Sequence, residues 1–279
     1  MVTSIFSILI NWLLLYSLIA CGLILYGKPL HGWRPEIAAA LIATMGLGTL
    51  LLLGLTPIAE WLLRHSSDCD KCTPEEAAYL RPLFSEVCRR AGQDPAQYRL
   101  YVCPKEEVNA LALGAKSVAV TTGLLKTATP EELEGILAHE LGHHLLNHTF
   151  WLTLTCVSGQ VGNWTLRLYD ILLKGIGCLR AVPLAGYFVV VLLGLFRFLF
   201  ILFDGFVQLP FYLGMLFGSR RNEYAADRFA ARIGCGNGLR SFLERVLAPR
   251  EARASFWERL KRTHPSSAKR ARRLAHLGA

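Results

Sequence analysis

The chain opens with two long blocks of apolar residues that a short polar loop separates. Residues 5–26 and residues 37–59 contain no charged side chain, and they are 22 and 23 residues long. A helix of that length can cross the ~30 Å hydrocarbon layer of a bilayer at ~1.5 Å per residue. A helix on the surface of a soluble domain would show a polar face, which both blocks lack. We therefore predict two transmembrane helices.

A second apolar region covers residues 149–218. Its most apolar part runs from Val182 to Phe203 and is interrupted by Arg197, whereas residues 149–173 are less apolar. Charged residues within membrane helices usually face protein or water, or lie near a helix end and reach the interface. The region predicts two further membrane helices joined by a turn near residues 174–183, which makes about four crossings in all.

The polar parts of the chain carry two nearly identical helix-start signals. In "TPEEAAYLRP", Thr73 precedes a proline and Glu76 follows three residues after the Thr; "TPEELEGILAHE" repeats the arrangement with Thr129 and Glu132. A Thr at the N-cap, Pro at the first helical position and Glu at the third form a capping box. We predict that a helix begins at each Thr and that the first helix ends at Gly92.

Two other runs predict short strands. "YRLYVC" at residues 98–103 and "SVAVTTGLL" at residues 117–125 are rich in β-branched and aromatic residues. The pattern of residues 219–279 is helical and polar. The predicted fold class is mainly α with a small β-sheet, in a multi-pass membrane protein. The predicted organisation is two transmembrane helices in residues 1–60, a globular part in residues 61–148, two transmembrane helices in residues 149–218, and a second globular part in residues 219–279.

The composition supports a membrane protein and gives little sign of a disulfide framework. Of 279 residues, 53% are hydrophobic and 18% are charged, with a mean hydropathy of +0.35. Residues 1–17 lack the Lys or Arg of a signal peptide, so we expect the first helix to be retained, although "LIAC" at residues 18–21 resembles a lipoprotein cleavage site. The eight cysteines are scattered. Cys69 and Cys72 form a lone C-x-x-C, which we interpret as two surface thiols in a reducing compartment.

Charge is distributed unevenly along the chain. Residues 219–279 hold 15 Lys and Arg against 5 Asp and Glu, whereas residues 61–148 hold 9 against 12. The basic segment lacks the interleaved aromatics and the reader motifs of nucleic-acid-binding proteins, so we expect no nucleic acid and anionic lipid as its partner. Four crossings place both globular parts on one face. The positive-inside rule makes that face cytoplasmic, because six basic residues near the membrane ends (Arg64, Lys71, Arg220, Arg221, Arg228, Arg232) outnumber four opposite (Lys28, Arg34, Lys174, Arg180).

The second capped helix carries the densest cluster of candidate metal ligands, "HELGHHLLNH" at residues 139–148. His139 and His143 are four residues apart, so both imidazoles project from one face of the helix and can bind one ion. Glu140 can reach a metal-bound water as general base. A structural alternative is a helix with a polar histidine face, and a third ligand would argue against it.

The spacing excludes the metzincin arrangement for the third ligand. That class needs H-E-x-x-H-x-x-G-x-x-H, but Leu146 and Thr149 stand at the Gly and the last His positions. His144 and His148 fall at the wrong spacing, and we interpret them as histidines whose hydrogen bonds are satisfied on the helix.

A glutamate from a later helix is the other solution. "RRNEYAADRFAAR" offers Glu223, with Asp227 one turn later on the same face. Two His and one Glu, with a position left for water, match a catalytic zinc site rather than a closed structural one. We expect Asp227 to accept the outer N–H of a zinc-bound histidine, with His139 as the donor. A surface salt bridge from Asp227 to Arg228 or Arg232 is the alternative.

With these pieces in place, the chain resembles the HtpX-type integral-membrane zinc metalloproteases, which are relatives of the CAAX prenyl proteases. The two leading membrane helices and the apolar insert between His143 and Glu223 agree with that family. The matching segments occur in family order from about residue 80 onward: "NALALG" (109–114), "VAVTTGLL" (118–125), "HELGHH" (139–144), "NEYAAD" (222–227) and "THPSSAKR" (263–270).

The resemblance implies a zincin-like domain that faces the cytoplasm from a bacterial inner membrane and hydrolyses peptide bonds of membrane or misfolded proteins. One zinc ion (Zn2+) per chain would be held by His139, His143 and Glu223, with Glu140 as the general base. The partners implied are polypeptide substrates and the lipid bilayer.

The resemblance also implies roles for residues that spacing alone does not single out. An edge strand at Asn109 would bind substrate in extended form, and His264 and Arg270 would lie near the site and help to stabilise the oxyanion. Leu111 stands where the family usually has an aromatic residue, which puts the side-chain preference of the groove in question. The chain is too short for the many-helix chamber of the CAAX proteases, so we do not expect prenylated substrates.

Two other functions compete with this reading. A sensor protease that cleaves one regulator would need an extracytoplasmic domain, but the loops at residues 27–35 and 174–183 are too short for one. A non-catalytic membrane scaffold that binds partners through its basic tail would be favoured by the loss of a ligand or of the glutamate base, and all four residues are present.

Overall fold

The computed structural model describes residues 2–26, 34–66, 68–114, 116–176, 220–252 and 265–278, with isolated positions at 32, 191, 195 and 198. The predicted helix at residues 182–203 lies almost wholly outside these residues. In chain order the described α-helices are α1 (Val2–Tyr26), α2 (Pro35–Gly54), α3 (Pro57–Ser66), α4 (Pro74–Arg90), α5 (Thr122–Thr127), α6 (Pro130–Leu145), α7 (His148–Ile176), α8 (residues 220–232), α9 (Gly236–Phe242), α10 (Ala248–Ala252) and α11 (Ser267–His276). A 3-10 turn (Pro95–Gln97) follows α4, and a π-helical turn (Leu243–Leu247) joins α9 to α10. The strands are β1 (Asp70–Lys71), β2 (Arg99–Cys103), β3 (Ala110–Leu113) and β4 (Ser117–Thr121). The chain is thus mainly helical with a small sheet, as predicted.

The chain divides into two compact units, and the division follows the alternation of apolar and polar segments. One unit comprises Met1–Gly54 and Leu154–Met215, and the other comprises Leu55–Thr153 and Leu216–Ala279. We call the first the apolar unit and the second the site unit. The predicted organisation into residues 1–60, 61–148, 149–218 and 219–279 stays a prediction.

Two helices of the apolar unit are long and apolar enough to cross a membrane. The candidate spans are Ser4–Ile24 and Pro35–Gly54, each with a mean hydropathy of 2.1. Large apolar side chains on α2 are exposed, with Met45 at 71%, as expected of side chains that face lipid. Helix α2 ends five residues earlier than the predicted block, because Pro57 starts the separate helix α3. Within the part of the chain that the structure describes, no further helix meets the same criteria of length and composition.

Helix α7 extends over the predicted third apolar segment and is bonded to α1 by small polar side chains. Asn11 Nδ2 donates to Ser158 Oγ at 3.0 Å and to the Ser7 carbonyl at 2.9 Å. All three residues are buried. At least one of the polar residues that lower the hydropathy of α7 therefore forms a hydrogen bond with a neighbouring helix. Membrane helices commonly associate through such bonds. That α7 crosses the membrane stays a prediction.

The sheet has the order β1-β2-β4-β3, with β2 and β4 parallel and the other two pairings antiparallel. The predicted strand at residues 117–125 is wrong over its second half, because β4 ends at Thr121. The Thr121 side chain accepts a hydrogen bond from the Leu124 N–H at 3.2 Å and so caps α5. A β-branched run therefore ends in a helix cap, which periodicity alone does not reveal.

The interpretation of Cys69 as a surface thiol is wrong. Cys69 forms a disulfide with Cys103 and is 2% exposed. The antiparallel register pairs Asp70 with Val102, so the residue before β1 falls opposite the last residue of β2. Cys72 is a free, half-buried thiol.

Both predicted capping boxes are confirmed, and the second one fixes the start of the helix at the centre of the site unit. Thr129 accepts from the Glu132 N–H at 3.3 Å, and Glu132 accepts from the Thr129 N–H at 3.0 Å. Leu133, Leu137 and Leu141 of this helix, α6, are fully buried in the main apolar cluster. Burial of that apolar stripe determines which face of α6 is left for the polar residues.

Candidate active site

Helix α6 presents His139 and His143 one turn apart. Their Nε2 atoms lie 3.1 Å from each other, and the ring centroids are 4.7 Å apart. His139 is 6% exposed, and the His143 side chain is 15% exposed. Two imidazole nitrogens therefore converge on one point near the surface of the site unit.

Helix α8 adds a carboxylate at the same point. Glu223 Oε2 lies 3.5 Å from His139 Nε2, and Glu223 Oε1 lies 3.4 Å from His143 Nε2. The three donor atoms lie within 4.8 Å of one another, and no other such group occurs among the described residues. Two imidazole nitrogens and one carboxylate oxygen are the donor set of a catalytic zinc site with a position open to water, so these residues fit the metal.

A glycine allows α8 to approach α6 this closely. A Cβ added at Gly142 would lie 3.0 Å from Phe229 Cδ1 and 3.3 Å from Ala226 Cα. Gly142 is the residue before His143, and Ala226 lies one turn after Glu223. The glycine in "HELGH" therefore has a packing function next to the ligands, which the ligand spacing did not indicate.

Asp227 and Arg270 lie behind the ligands. Asp227 Oδ1 is 3.0 Å from His139 Nδ1, the outer nitrogen of that ring. Arg270, from α11, donates to both Asp227 oxygens at 2.9 and 2.7 Å, and its Nη1 lies 3.0 Å from Glu223 Oε2. Asp227 is only 3% exposed, so the alternative interpretation of Asp227 as a partner in a surface salt bridge with Arg228 or Arg232 is wrong.

These buried charges shift one another's protonation. Burial raises the pKa of the Asp227 carboxyl, but the hydrogen bonds and charges of His139 and Arg270 outweigh it and hold that pKa below its usual value. Burial and the Arg270 charge lower the pKa of His139, but hydrogen bonds to Asp227 and Glu223 raise it to about 9. The carboxylates around His139 therefore favour positive charge at this position, which is the charge that a bound metal ion would supply.

Glu140 follows His139 on α6 and is 8% exposed. Its charge interacts with Arg270. Glu140 is adjacent to a candidate ligand in the sequence and is not one of the three converging donors, so its role as the general base stays a prediction.

His144 and His148 differ in their surroundings. His144 Nε2 lies 2.9 Å from the Ser117 carbonyl, and Thr149 Oγ1 lies 3.4 Å from His144 Nδ1, so His144 joins α6 to β4. His148 Nδ1 lies 3.0 Å from His143 Nδ1, so it contacts a candidate ligand. Burial lowers the pKa of His148 to about 4. The contact between His148 and His143 was not predicted from the sequence. The signal available was Asn147, because asparagine readily adopts the left-handed conformation that ends a helix.

Strand β3 forms one end of the described sheet and packs against α6. Asn109 precedes it, and the Asn109 carbonyl accepts from the Thr121 N–H at 3.1 Å. Because ladder bonds alternate in antiparallel pairs, the N–H and C=O groups of Ala110 and Ala112 point to the outer edge. Asn109 Oδ1 accepts from the Ala110 N–H at 2.9 Å. No described strand pairs with this edge.

His264 lies outside the described residues.

Comparison with known proteins points to one family. Residues 74–277 match peptidase family M48. Protease HtpX of Shewanella oneidensis is 29% identical over 209 residues, which is 68% of this chain and 67% of that protein. The Protease HtpX homolog of Aquifex aeolicus is 29% identical over 230 residues, 73% of this chain and 72% of that protein. The crystal structure of S. mikatae Ste24p has a TM-score of 0.51 at 17% identity; the match covers 85% of this chain and 64% of that one, so it supports the fold alone.

Proposed function

The chain belongs to peptidase family M48, and we propose that it is a membrane-bound zinc metalloendopeptidase. Peptide-bond hydrolysis is the activity of the family, and relatives named Protease HtpX match about two thirds of the chain. The single observation that carries the zinc assignment is the convergence of His139, His143 and Glu223 within 4.8 Å.

The mechanism assigns a separate task to each residue of the site. His139, His143 and Glu223 would hold zinc, which acidifies a water molecule toward pKa ~7 and polarises the scissile carbonyl. Glu140 accepts the proton of the attacking water and passes it to the departing amine. Asp227 keeps the His139 ring in the orientation that presents Nε2 to the metal, because it accepts the N–H at Nδ1.

Arg270 has two tasks in this proposal. It neutralises Asp227 and Glu223, which are both buried. Two buried carboxylates without a counterion would otherwise carry a large desolvation cost. We also propose that His264 stabilises the negative charge that develops on the carbonyl oxygen during attack, and that the positive charge of Arg270 contributes from behind the ligands.

Substrate recognition would use the outer edge of β3. The outward N–H and C=O of Ala112 and the C=O of Ala110 can pair with an extended peptide. Main-chain pairing of this kind is tolerant of side-chain identity, which suits an enzyme that degrades membrane or misfolded proteins. The Asn109 side chain already occupies the Ala110 N–H, so we expect the substrate ladder to be centred on Ala112.

For the membrane arrangement we propose four crossings, with α1 and α2 as the first two and the site unit on the cytoplasmic side. The bias of basic residues supports this side. The Cys69–Cys103 disulfide favours the opposite side, because stable disulfides are typical of oxidising compartments. The redox state of this pair in cells distinguishes the two orientations.

Metal removal tests the zinc-dependent activity. We expect the detergent-purified protein to cleave casein, to lose that activity after dialysis against a strong zinc chelator, and to regain it when one equivalent of zinc is returned. An inhibitor of serine proteases should leave cleavage unchanged. Full activity in protein whose zinc content is below a tenth of an equivalent would refute the proposal.

A further inference from the structure

The outer nitrogens of the two histidine ligands have different partners. At His139, Nδ1 faces the Asp227 carboxylate at 3.0 Å. At His143, Nδ1 faces His148 Nδ1 at 3.0 Å, with the ring centroids 5.1 Å apart and the planes at 64°. Each ligand ring is therefore held on the side opposite to the atom that points at the metal.

The chain reaches this arrangement by breaking the helix between the two histidines. On a continuous α-helix, five residues turn the chain by roughly 140° beyond a full turn, so residue 148 would point away from His143. Instead α6 ends at Leu145, and Asn147 adopts a left-handed conformation with φ of 57°. Asparagine tolerates that conformation better than most residues. Helix α7 then begins at His148 with its ring directed back toward His143.

The contact has a defined chemistry when His143 serves as a ligand. A neutral imidazole that gives its Nε2 lone pair to a metal carries its proton on Nδ1 and must donate it. His148 can accept at Nδ1 when its own proton lies on Nε2. Partners of this kind fix the ring orientation of a ligand and increase its basicity.

We infer that His148 is a positioning residue that accepts the Nδ1–H of His143 and holds its Nε2 toward the metal; this inference rests on the proposed function. His148 is not itself a ligand, because the converging donor group of the described residues consists of His139, His143 and Glu223. The two ligand rings thus have unequal support: an anionic acceptor behind His139 and a neutral one behind His143.

The test compares zinc affinity in His148→Phe, which keeps a ring but has no acceptor, and in His148→Gln, which keeps an acceptor. Affinity is measured by competition with a chromophoric chelator on the full-length protein in detergent. We expect His148→Phe to bind zinc roughly 10- to 100-fold more weakly, and His148→Gln to stay within about threefold of the wild type. His65→Phe is the matched control, because His65 stacks on Trp61 and is not one of the converging donors, and should leave affinity unchanged.

The outcomes separate this inference from the proposed function. Wild-type affinity in His148→Phe, or an equal loss in the Phe and Gln variants, would overturn the role of His148 while leaving the zinc enzyme intact. Failure of the wild type to bind zinc would refute the proposed function and the inference with it. If thermal unfolding shows that the Phe variant is misfolded, His148→Ala carries the same prediction, because it also removes the acceptor.

Discussion

Gly135 of α6 lies directly against the backbone of α9, and replacing it with alanine tests how the site helix is packed. A Cβ at this position would lie 2.8 Å from Leu239 Cα and 2.9 Å from the Gly238 carbonyl carbon, and closer still to the Leu239 backbone nitrogen. These atoms belong to the backbone of α9, so no side-chain rotation can relieve the contact. The two helices would have to move apart to restore ordinary contact distances.

The expected cost follows from two opposing terms. Overpacking a filled core costs about 1–3 kcal/mol, and the upper end applies where backbone must move. Alanine in place of glycine stabilises a helix by up to about 1 kcal/mol, which offsets part of this cost. The net loss is about 2 kcal/mol, which corresponds to a decrease of roughly 4–8 °C in the unfolding temperature of a unit of this size.

Buried thiols provide the assay. Cys88 and Cys235 are buried in the core of the site unit, and burial raises the pKa of Cys88 to about 11, so a fluorogenic thiol reagent reacts there mainly after unfolding. Gly46→Ala is the control, because a Cβ on Gly46 would meet no atom within 4 Å. If Gly135→Ala unfolds at the temperature of the wild type or above it, the packing argument is wrong.

Two further predictions concern the start of α6 and the membrane orientation. Arg245 holds the pKa of Glu132 at about 2. The ionised Glu132 therefore stabilises the fold fully above its unfolded-state pKa of about 4.3, and this stabilisation is lost as pH falls from there toward 2. Glu132→Gln should destabilise the protein by about 2–3 kcal/mol at pH 7 and by progressively less in that acid range, as measured by thermal unfolding. Acid-quenched thiol trapping in growing cells should find Cys69 and Cys103 reduced if the site unit faces the cytoplasm, and a disulfide there would reverse the proposed orientation.

Local signals in the sequence were sufficient for the helix starts and for the convergence of candidate ligands. The Thr-Pro-x-Glu pattern depends on bonds within four residues, and it was confirmed at Thr73 and at Thr129. The spacing of His139 and His143 likewise depends only on helical periodicity. The third ligand, Glu223, comes from a second helix, so helical spacing within α6 could not identify it. A Glu followed four residues later by an Asp reduced the number of candidate third ligands.

Features that depend on register or on a break in a helix were not predictable from the same patterns. The Cys69–Cys103 pair depends on the register between β1 and β2 across a sequence separation of 34. The contact of His148 with His143 depends on a left-handed residue that interrupts the helix. In both cases the cysteines or histidines are visible in the sequence. Their proximity depends on backbone geometry, which the periodicity of hydrophobic residues does not indicate.

The most direct test of the central claim is zinc content and casein cleavage measured on the same preparations of wild type and Glu140→Gln. Glutamine keeps the size of the side chain but cannot accept the proton of water, and the three ligands are unchanged. We predict about one zinc per chain in both proteins and cleavage in the wild type alone, with at least a hundredfold loss in the variant. Cleavage retained in Glu140→Gln, or no zinc in either protein, would contradict it.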